Sequence, residues 1–507
     1  MMFFEFAQNL NEFYCRFDRN DVQKCNQWLD ELIPRESIPR SDRLLLDVDK
    51  VRRVLDSVKT NKSMGPDGLS GKILNSCSQQ LSLVFCKLFQ WSLDTSKVPN
   101  IWKSATIIPI PKVPKPTVLN DFRPVALTPV IMKCFEKLVK EILIGETQEH
   151  QDPLQFAYRN KRCVDDALTY LLHTVIKHLE QAGSYVRILY VDFSSAFNTI
   201  VPQFLIEKLH NVMEVNPYLS LWIGDFMFNR SQKVRVGEVF SDSRTLNVGA
   251  PQGCVLSPIL FTLLTNDSPV SPSCHIVKYA DDTCVVGLIN NNNEMAYRNC
   301  VDEFVEWCQQ TSLILNTTKT KEMIVDFRKV GIEEHEKLYI GGDDIERVSE
   351  YKYLGTIIDD KLNWNENTTK IQSKGNQRLY FLRKLKSFNV RSQTLVLFYQ
   401  SVIQSVLCFS AVAWFCGLTG KNRSKLERIV AQASKVSGVP LQQLEELVQS
   451  AVLARLDIIM KDQSHPLHGE VVINRSGRLR LPKVKTERYR QSFFITACKL
   501  FNSKFSR

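Results

Sequence analysis

The sequence contains no pair of cysteines at CxxC spacing, although fourteen cysteines are spread over its 507 residues. Two pairs lie eight residues apart, Cys300 with Cys308 and Cys408 with Cys416, and neither has histidines at zinc-finger distance. A structural zinc site is therefore not expected, and neither is a disulfide framework in a chain of this length. The cysteines are interpreted as free thiols in a reducing compartment, which predicts an intracellular protein that is not secreted.

Long apolar runs are also scarce. The N-terminus has no basic segment followed by a long apolar stretch, so it does not predict a signal peptide. Residues 395–418 carry no charge, but glutamines and serines recur within them, which favours a buried helix pair over a membrane span. We expect no membrane partner. The 44% hydrophobic and 23% charged residues are typical of a globular protein.

Acidic residues are nearly missing from one end of the chain. Residues 471–507 hold a single acid, Glu487, against ten basic residues: Arg475, Arg478, Arg480, Lys483, Lys485, Arg488, Arg490, Lys499, Lys504 and Arg507. A basic block favours a polyanionic partner, either nucleic acid or an anionic membrane, and a solvated basic tail is the alternative. The aromatic residues between these cations could stack on unpaired nucleic acid or form the apolar side of a terminal helix: Tyr489, Phe493, Phe494, Phe501 and Phe505.

Apolar periodicity divides the chain into parts of different character. Residues 1–60 are predicted to be helical, and the Gly-Pro-Asp-Gly cluster in 61–70 must break any helix. Strand patterns dominate the middle of the chain, and YKYLGTIID (351–359) is interpreted as one of these strands. From about residue 365 to 460 the pattern is helical. This order predicts a mixed α/β core with an α domain behind it.

Three acidic residues stand where predicted strands end. Asp192 ends the apolar run VRILYVDF, and Asp281 and Asp282 form the tip of a predicted hairpin in HIVKYADDTCVVGLI. Crowded acids repel one another, so three near one point are expected mainly around divalent cations. Taken singly, Asp192 could instead cap a helix, and the Asp281–Asp282 pair could be an ordinary polar turn.

The order of several motifs identifies a family. VDFSSAF, GAPQGCVLSPILF and YADD follow one another, with Asp192 and Asp281 89 residues apart. This arrangement resembles the palm of reverse transcriptases, specifically those of LINE-type (non-LTR) retrotransposons of the jockey-like kind. Further blocks similar to that family run from about residue 61 to the C-terminus: NKSMGPDGLS, WK…IPIPK, NDFRPVALTPV, QFAYR, LNTTKTKEM, YKYLGTIID and RYRQSFFITACKLFN.

The resemblance implies roles for the three acids. It makes Asp192 and Asp281 catalytic metal ligands, with the backbone carbonyl of Phe193 as a further ligand and Asp282 as the supporting acid. Two metal ions held in this way can activate an attacking hydroxyl and stabilise a leaving oxygen. The cofactor expected from the resemblance is Mg²⁺ in two sites, with Mn²⁺ as a possible substitute.

The resemblance also implies a nucleotide pocket. Phe197 matches the steric gate that leaves no room for a 2′-hydroxyl, although the same ring could be plain helix core. Gln252 matches the glutamine of the pocket, and Gly253 permits close approach of the backbone. Asn198 departs from the family, which commonly has Asp at this position, so altered efficiency is the most that we expect.

Basic residues complete the predicted nucleotide-binding set. Lys112 and Arg123 match the fingers residues that grip the triphosphate, and exposed loop cations are the alternative interpretation. Lys319 resembles the lysine that protonates departing pyrophosphate, and Lys321 is its competitor for that role.

The implied fold is an α/β (α+β) right-hand polymerase in which fingers and palm with an antiparallel sheet precede an all-helical thumb and a basic tail. The boundaries expected from the motifs are a helical N-terminal segment (1–60), a fingers-like region (61–165), the palm (166–362), the thumb (363–460) and the tail (461–507). About sixty residues before the first block leave no room for the N-terminal endonuclease domain that relatives usually carry. The endonuclease activity is therefore expected to be separate or missing.

The implied function is that of an RNA-directed DNA polymerase, whose partners are an RNA template, a DNA primer and dNTPs. Its expected location is a nuclear and cytoplasmic ribonucleoprotein. The main alternative is a decayed or co-opted copy that binds RNA without polymerising. A DNA-templated polymerase or a maturase-like splicing partner would share the palm motifs, but the flanking blocks favour the retrotransposon enzyme.

Overall fold

A computed structural model describes residues 2–18, 22–330 and 334–503. The N-terminal half begins with helices that lead into a five-stranded sheet. Its helices are α1 (Met2–Cys15), α2 (Val22–Leu32), α3 (Val48–Asp56), α4 (Gly71–Ser76), α5 (Ser78–Thr95), α6 (Asn100–Lys103), α7 (Val130–Glu146), α8 (Val164–His178), α9 (Pro202–Glu207), α10 (Pro217–Met227) and α11 (Ser257–Leu264). Its strands are β1 (Ala105–Pro111), β2 (Phe122–Leu127), β3 (Ser184–Val191), β4 (Arg230–Val236), β5 (Val239–Phe240) and β6 (Arg244–Leu246).

The C-terminal half moves from strands to helices. Its strands are β7 (Cys274–Tyr279), β8 (Asp282–Asn290), β9 (Lys321–Val325), β10 (Tyr339–Ile340), β11 (Asp343–Asp344), β12 (Glu346–Arg347), β13 (Glu350–Tyr353) and β14 (Thr356–Asp359). Its helices are α12 (Met295–Gln310), α13 (Asn365–Ser387), α14 (Ser392–Phe398), α15 (Ser405–Leu407), α16 (Ala411–Trp414), α17 (Gly420–Ser437), α18 (Leu444–Lys461), α19 (Glu487–Arg490) and α20 (Phe493–Ser503). The predicted order of a mixed α/β core followed by helices is confirmed.

The chain forms two compact units. The first contains residues up to 152, 193–267 and 307–314. Its sheet has the strand order β2-β1-β4-β5, with β6 also paired to β4, and β1 lies parallel to β4. Beside this sheet, aromatic side chains form the core between helices, because Phe89 of α5 stacks on Phe135 of α7 at 4.3 Å and Phe135 meets Trp222 of α10 edge-on at 4.9 Å.

The second unit contains residues 153–192, 268–306 and 315 onward. Its sheet has the order β12-β9-β3-β8-β7, in which β3 pairs antiparallel with both β8 and β9. All eight residues of β3 are buried, as expected for a central strand covered on both faces. Gly287 of β8 is required here, because a Cβ at that position would lie 2.3 Å from the ring of Tyr297 on α12.

A buried charge cluster crosses the central strand. Arg187 of β3 is fully buried and donates from Nε and Nη2 to the two carboxylate oxygens of Glu322 on β9, at 2.9 and 2.8 Å. Its Nη1 binds Glu294, which also accepts a hydrogen bond from the hydroxyl of Tyr185 at 2.6 Å. A buried charge is tolerated when it is paired and hydrogen-bonded in this way, and the bidentate contact fixes β3 against β9.

Helices and the C-terminal segment share one core with this sheet. Apolar side chains of α13 to α18 are continuous with those of α8 and β3, and Tyr489, Phe493 and Phe494 are buried among them. The interpretation of these aromatics as the apolar side of a terminal helix is therefore confirmed. Lys504, Phe505 and Arg507 lie outside the described residues.

The uncharged stretch 395–418 forms part of the same core. Within the described chain, no single helix is long and apolar enough to cross a membrane, although the bent pair Ser392–Leu407 and Ala411–Gly417 passes on length and composition. Leu395, Leu407 and Trp414 in this pair are at most 1% exposed. One face of the predicted helix pair is therefore buried inside the protein, while Leu397 and Phe409 are exposed.

Two local predictions are wrong. Residues 1–60 are not continuously helical, since the chain between α2 and α3 has only short 3₁₀ turns around Arg35–Ser37 and Arg40–Asp42. Residues 351–359 are not one strand but the hairpin of β13 and β14. Its turn is made by Leu354 and Gly355, both with positive φ (47° and 86°), which reverses the chain between β13 and β14.

Candidate functional site

Two antiparallel pairings bring the three predicted acids to one end of the second unit's sheet. The last pair of β3 and β8 is Val191 with Thr283, so Asp192 follows at the level of Asp282. Strands β7 and β8 pair up to Tyr279 and Asp282, which leaves Ala280 and Asp281 as a two-residue turn. The predicted hairpin with an acidic tip is confirmed.

The three carboxylates interact electrostatically. Desolvation and the negative charges of Asp281 and Asp192 raise the pKa of Asp282 to about 6. Burial, followed by the charges of Asp192 and Asp282, also raises the pKa of Tyr351. The ring of Tyr351 stacks on that of Tyr190 at 4.1 Å, next to the strand end that carries Asp192. The acidic residues therefore lie next to the stacked rings of Tyr190 and Tyr351.

The turn that separates the acids is a strained one. Ala280 has φ 59°, in the left-handed region that is unfavourable for a residue with a Cβ. Such conformations persist only where surrounding contacts impose them, and they cluster at functional sites.

Asp192 is fixed by a residue that sequence reasoning missed. The backbone N–H of Asn316 donates to the carbonyl of Asp192 at 2.8 Å, and its side-chain Nδ2 donates to Asp192 Oδ2 at 3.0 Å. The backbone N–H of Asp192 donates to Oγ1 of Thr320 at 3.2 Å. Both partners lie within LNTTKTKEM. The family resemblance of this block points to its lysines and not to Asn316 or Thr320.

The two candidate lysines of that block differ in their surroundings. Lys321 donates from Nζ to Glu346 Oε2 at 2.7 Å and to the carbonyl of Thr318 at 2.6 Å. Lys319 is exposed in the turn before β9, and no acidic side chain pairs with it in the described part of the chain. Its ammonium group is therefore available to a ligand, whereas that of Lys321 is already engaged.

The three acids are oxygen donors of the kind that divalent cations such as Mg²⁺ prefer. Across residues 2–18, 22–330 and 334–503, no three His, Cys, Asp or Glu side chains form a complete metal-binding cluster. Mg²⁺ is ordinarily held by one or two carboxylates together with substrate phosphates and water, and not by an all-protein cage. Burial, and then the charges of Asp281 and Asp192, raise the pKa of Asp282, and a divalent cation would offset both effects. The donor set therefore fits Mg²⁺ in an open site that substrate oxygens complete.

The basic candidates lie on one hairpin of the first unit. Strands β1 and β2 pair with Arg123 opposite Ile110, and Lys112 follows β1. Both cationic side chains are exposed. Lys112 Nζ donates to the carbonyl of Asn120 at 2.7 Å, and its backbone N–H donates to the carbonyl of Asp121 at 2.7 Å. The hairpin thus presents two cations at its solvent-facing end.

The pocket candidates also meet within the first unit. The backbone N–H of Ala250 donates to the carbonyl of Phe197 at 2.7 Å, and Gln252 Nε2 donates to Asn198 Oδ1 at 3.4 Å. The ring of Phe197 is half-buried, 5.2 Å from the ring of Phe261 on α11. Phe197 therefore packs as helix core on one side, and its remaining surface is open to a ligand.

Gly253 is required by the path of this loop. Its φ is 126°, and a Cβ would lie 2.8 Å from the carbonyl oxygen of Ala126 on β2. The backbone N–H of Ala126 donates to the carbonyl of Gln252 at 2.7 Å. The loop that carries Gln252 is therefore laid directly on strand β2, which limits its freedom.

Glu136 holds the other end of this loop and was also missed from sequence. The side chain lies fully buried on α7, and its Oε2 accepts the backbone N–H groups of Val255 and Leu256 at 2.6 and 2.9 Å. Burial raises the pKa of Glu136 to about 7, although these two bonds act in the opposite direction. The sequence around Glu136 does not indicate this contact, because 119 residues separate Glu136 from Val255.

The structure thus distributes the candidates over both units. Asp192, Asp281, Asp282 and Lys319 belong to the second unit, and Lys112, Arg123, Phe193, Phe197, Gln252 and Gly253 belong to the first. Within each unit the candidates are brought together: the acids at one sheet end, and Phe197 with Gln252 in adjoining loops.

A family model matches the middle of the chain. Residues 110–358 match the family model described as "Reverse transcriptase (RNA-dependent DNA polymerase)". Residues 364–405 match a second model, described as "Alkylated DNA repair protein alkB homolog 8, N-terminal".

Curated relatives extend the similarity over most of the chain. The RNA-directed DNA polymerase from mobile element jockey of Drosophila melanogaster is 25% identical over 385 residues, 72% of this chain and 41% of the relative. The probable RNA-directed DNA polymerase from transposon BS of the same species is 24% identical over 399 residues, 75% and 43% of the two chains. The probable RNA-directed DNA polymerase from transposon X-element, also of this species, is 25% identical over 394 residues, 73% and 41%. The chain spans about two fifths of the length of these relatives.

Among solved structures, the chain is similar to apo telomerase from Candida tropicalis truncated from its C-terminal domain. The TM-score is 0.36 at 11% identity, over 59% of this chain and 61% of that chain.

Proposed function

We propose that this chain, whose residues 110–358 belong to the reverse transcriptase family, is the polymerase part of a non-LTR retrotransposon protein. It extends a primer 3′-hydroxyl with deoxynucleotides on an RNA template and releases pyrophosphate. The observation that carries the proposal is the meeting of Asp192, Asp281 and Asp282 at one sheet end, where burial, together with the charges of Asp281 and Asp192, raises the pKa of Asp282 to about 6.

The acids of the second unit are assigned to the reacting phosphate. Asp192 and Asp281 would hold two Mg²⁺ ions, with Asp282 as the supporting acid and the Phe193 carbonyl as a backbone ligand. Bound there, the metal ions supply Lewis-acid stabilisation of the attacking and leaving oxygens. Asn316 keeps the Asp192 carboxylate in one orientation through its bond to Oδ2. Lys319, which has no acidic partner among the residues described, is assigned to protonate the departing pyrophosphate.

The first unit is assigned to the nucleotide. The exposed cations Lys112 and Arg123 would bind the triphosphate, Arg as a bidentate donor and Lys as a point charge. Phe197 would exclude a 2′-hydroxyl, and Gln252 with Gly253 would line the pocket. Catalysis of phosphoryl transfer consists largely of positioning and charge stabilisation, so these roles are sufficient for the reaction.

The remaining parts receive roles in holding the template and primer. We assign residues 61–165 to the fingers, 166–362 to the palm, 363–460 to the thumb and 461–507 to a basic tail. The described tail cations Arg475, Arg480 and Lys483 are exposed and would contact phosphates. The proposed place of action is an intracellular ribonucleoprotein, nuclear and cytoplasmic.

The test is primer extension on an RNA template with Mg²⁺, dNTPs and a preformed primer end. The double variant Asp281→Asn, Asp282→Asn removes both charges with little change in volume, and we expect extension to fall to background. The chain offers a matched control in Asp343→Asn, Asp344→Asn, because this pair also lies in a hairpin and is exposed. The control variant should extend the primer as the wild type does.

The outcomes separate the proposed enzyme from its alternatives. If the folded wild type binds template and primer but adds no nucleotide, the chain is a binding-only relic. If a DNA template is copied and an RNA template is not, the assignment to RNA-directed synthesis is wrong.

A further inference from the structure

A buried glutamine contacts the strained turn between the acids. Gln155 is 4% exposed, and its Oε1 accepts the backbone N–H of Ala280 at 3.0 Å. Its Nε2 donates to the carbonyl of the same residue at 3.3 Å. One side-chain amide therefore satisfies both backbone polar groups of the turn residue that precedes Asp281.

The backbone around Gln155 is attached to the same hairpin. The backbone N–H of Phe156 donates to the carbonyl of Lys278 at 2.9 Å, and the N–H of Lys278 donates to the carbonyl of Leu154 at 2.9 Å. Gln155 thereby pairs parallel with Lys278 on β7. Its Oε1 also accepts the N–H of Ala157 at 3.0 Å, which fixes the rotamer of the side chain. The backbone and the side chain of Gln155 are thus both fixed by contacts other than those to Ala280.

The turn needs such a contact because of its backbone conformation. Ala280 has φ 59°, which an alanine adopts at a cost that glycine does not have. An unsupported turn would relax toward negative φ, and that change would rotate the peptide leading into Asp281. The two bonds from Gln155 oppose this rotation, since they require the N–H and the carbonyl of Ala280 to face the same amide.

We infer that Gln155 is a positioning residue for the acidic hairpin: it holds Ala280 in the left-handed conformation and so fixes the direction of the Asp281 and Asp282 carboxylates. This inference rests on the proposed polymerase function, because it assumes that the orientation of those carboxylates matters for catalysis. Gln155 itself touches neither carboxylate in any described contact. Its effect therefore passes through the turn.

The first test is the substitution Gln155→Met, which keeps the volume and removes the amide. Leaving buried backbone groups unsatisfied is costly, and we expect kcat to fall about 10- to 100-fold. The KM for dNTP and the affinity for template and primer should stay within about twofold. The matched control is Gln148→Met, at an exposed glutamine seven positions earlier in the chain. The control should retain the wild-type kcat.

The decisive test adds Ala280→Gly to both backgrounds. Glycine adopts a positive φ without a steric cost, so it should restore kcat in the Gln155→Met protein by about fivefold or more. A glutamine that merely fills the core would give no such rescue. An absence of rescue, or a Gln155→Met protein with unchanged kcat, would overturn the inference.

Amide hydrogen exchange separates this inference from the polymerase proposal itself. Peptides covering 276–286 should exchange faster in Gln155→Met than in wild type. In the double variant Gln155→Met, Ala280→Gly, a return of protection would show that the turn is restored. This readout needs no activity. If the wild type extends no primer and yet the exchange pattern appears, the polymerase proposal fails while Gln155 remains the support of the turn. Unchanged exchange would show that Gln155 does not hold the turn.

Discussion

Asn316 binds Asp192 through two separate donors: its backbone N–H reaches the Asp192 carbonyl at 2.8 Å, and its side-chain Nδ2 reaches Oδ2 at 3.0 Å. The backbone bond fixes where the strand end lies, and the side-chain bond fixes how the carboxylate is turned. Substitution by alanine removes only the second bond, so the two effects can be separated.

Asn316→Ala removes the side-chain donor and leaves the backbone bond. Hydrogen bonds to charged groups contribute about 1.5–3 kcal/mol, so we expect kcat to fall about 10- to 100-fold with little change in melting temperature. Steady-state extension kinetics measure this change. Asn299→Ala, at an exposed asparagine of α12, is the control. Equal kcat values for the two variants would remove Asn316 from the site.

Asp282 should destabilise the metal-free protein. Its pKa is raised to about 6 in the folded state, so its contribution to folding is most favourable below its ordinary pKa of 3.8 and is lost as the pH rises through 6. Asp282→Asn should therefore raise the melting temperature at pH 7.5 without metal, by about 1–3 °C. Added Mg²⁺ should stabilise the wild type more than the variant.

The control for this measurement is Asp344→Asn, which removes an exposed acid from another hairpin. Its melting temperature should not rise, because Asp344 pairs with the cation Lys337. A wild type that Mg²⁺ does not stabilise at millimolar concentration, in the presence of template, primer and dNTP, would contradict the assignment of the acids to metal binding.

The acidic hairpin could be predicted from sequence because its signals are local. Two apolar runs flank a short polar break, and the acids lie at that break, as the pairing of β7 and β8 confirms. The hairpin of β13 and β14 was read as one strand because Leu354 gives no turn signal, although it takes φ 47°. The segment between α2 and α3 is not helical because Pro34 and Pro39 interrupt it, and it forms only the 3₁₀ turns Arg35–Ser37 and Arg40–Asp42.

The supporting residues could not be predicted in this way. Gln155, Glu136 and Asn316 act on residues 119–125 positions away in the chain. No periodicity connects a side chain with a backbone group at that separation. Family resemblance named the residues that are expected to bind metal or nucleotide, whereas the contacts that hold those residues are visible only in the folded structure.

Glu136 should make stability depend on pH near neutrality. Its pKa is about 7 in the folded state against 4.5 ordinarily, so its contribution is fully present below pH 4.5 and is lost as the pH rises through 7. The slope between these values is at most about 1.4 kcal/mol per pH unit. Glu136→Gln should flatten that part of the profile of unfolding free energy, measured with denaturant at several pH values.

Activity adds a second readout for the same residue. Because Glu136 holds Val255 and Leu256, its truncation to Ala should release the loop of Gln252 and raise the KM for dNTP more than it lowers kcat. Glu141→Ala, at an exposed acid of the same helix, is the matched control. A pH profile that is unchanged in Glu136→Gln would show that the carboxyl does not titrate in this range.

The basic C-terminal segment is ordered, which makes its charge testable. The N–H of Asn474 donates to the carbonyl of Arg478 at 2.8 Å, and Asn502 of α20 binds the backbone of Leu479 through two hydrogen bonds. Leu479 is buried, while the neighbouring Arg480 is exposed. The backbone next to these cations is therefore held by hydrogen bonds, so it loses less conformational entropy on binding phosphate than a flexible tail would.

Charge reversal at Arg475, Arg480 and Lys483 should weaken binding of the RNA template. Each lost phosphate contact lowers the slope of log affinity against log salt by about 0.7–0.9, so three contacts should lower it by about 2. The control reverses three exposed cations of the first unit, Lys24, Lys72 and Lys87. Filter-binding titrations over several salt concentrations measure both proteins. The two triple variants change the net charge equally and differ only in the position of the reversed cations. An equal loss of affinity in both would mean that net charge, and not this segment, determines RNA binding.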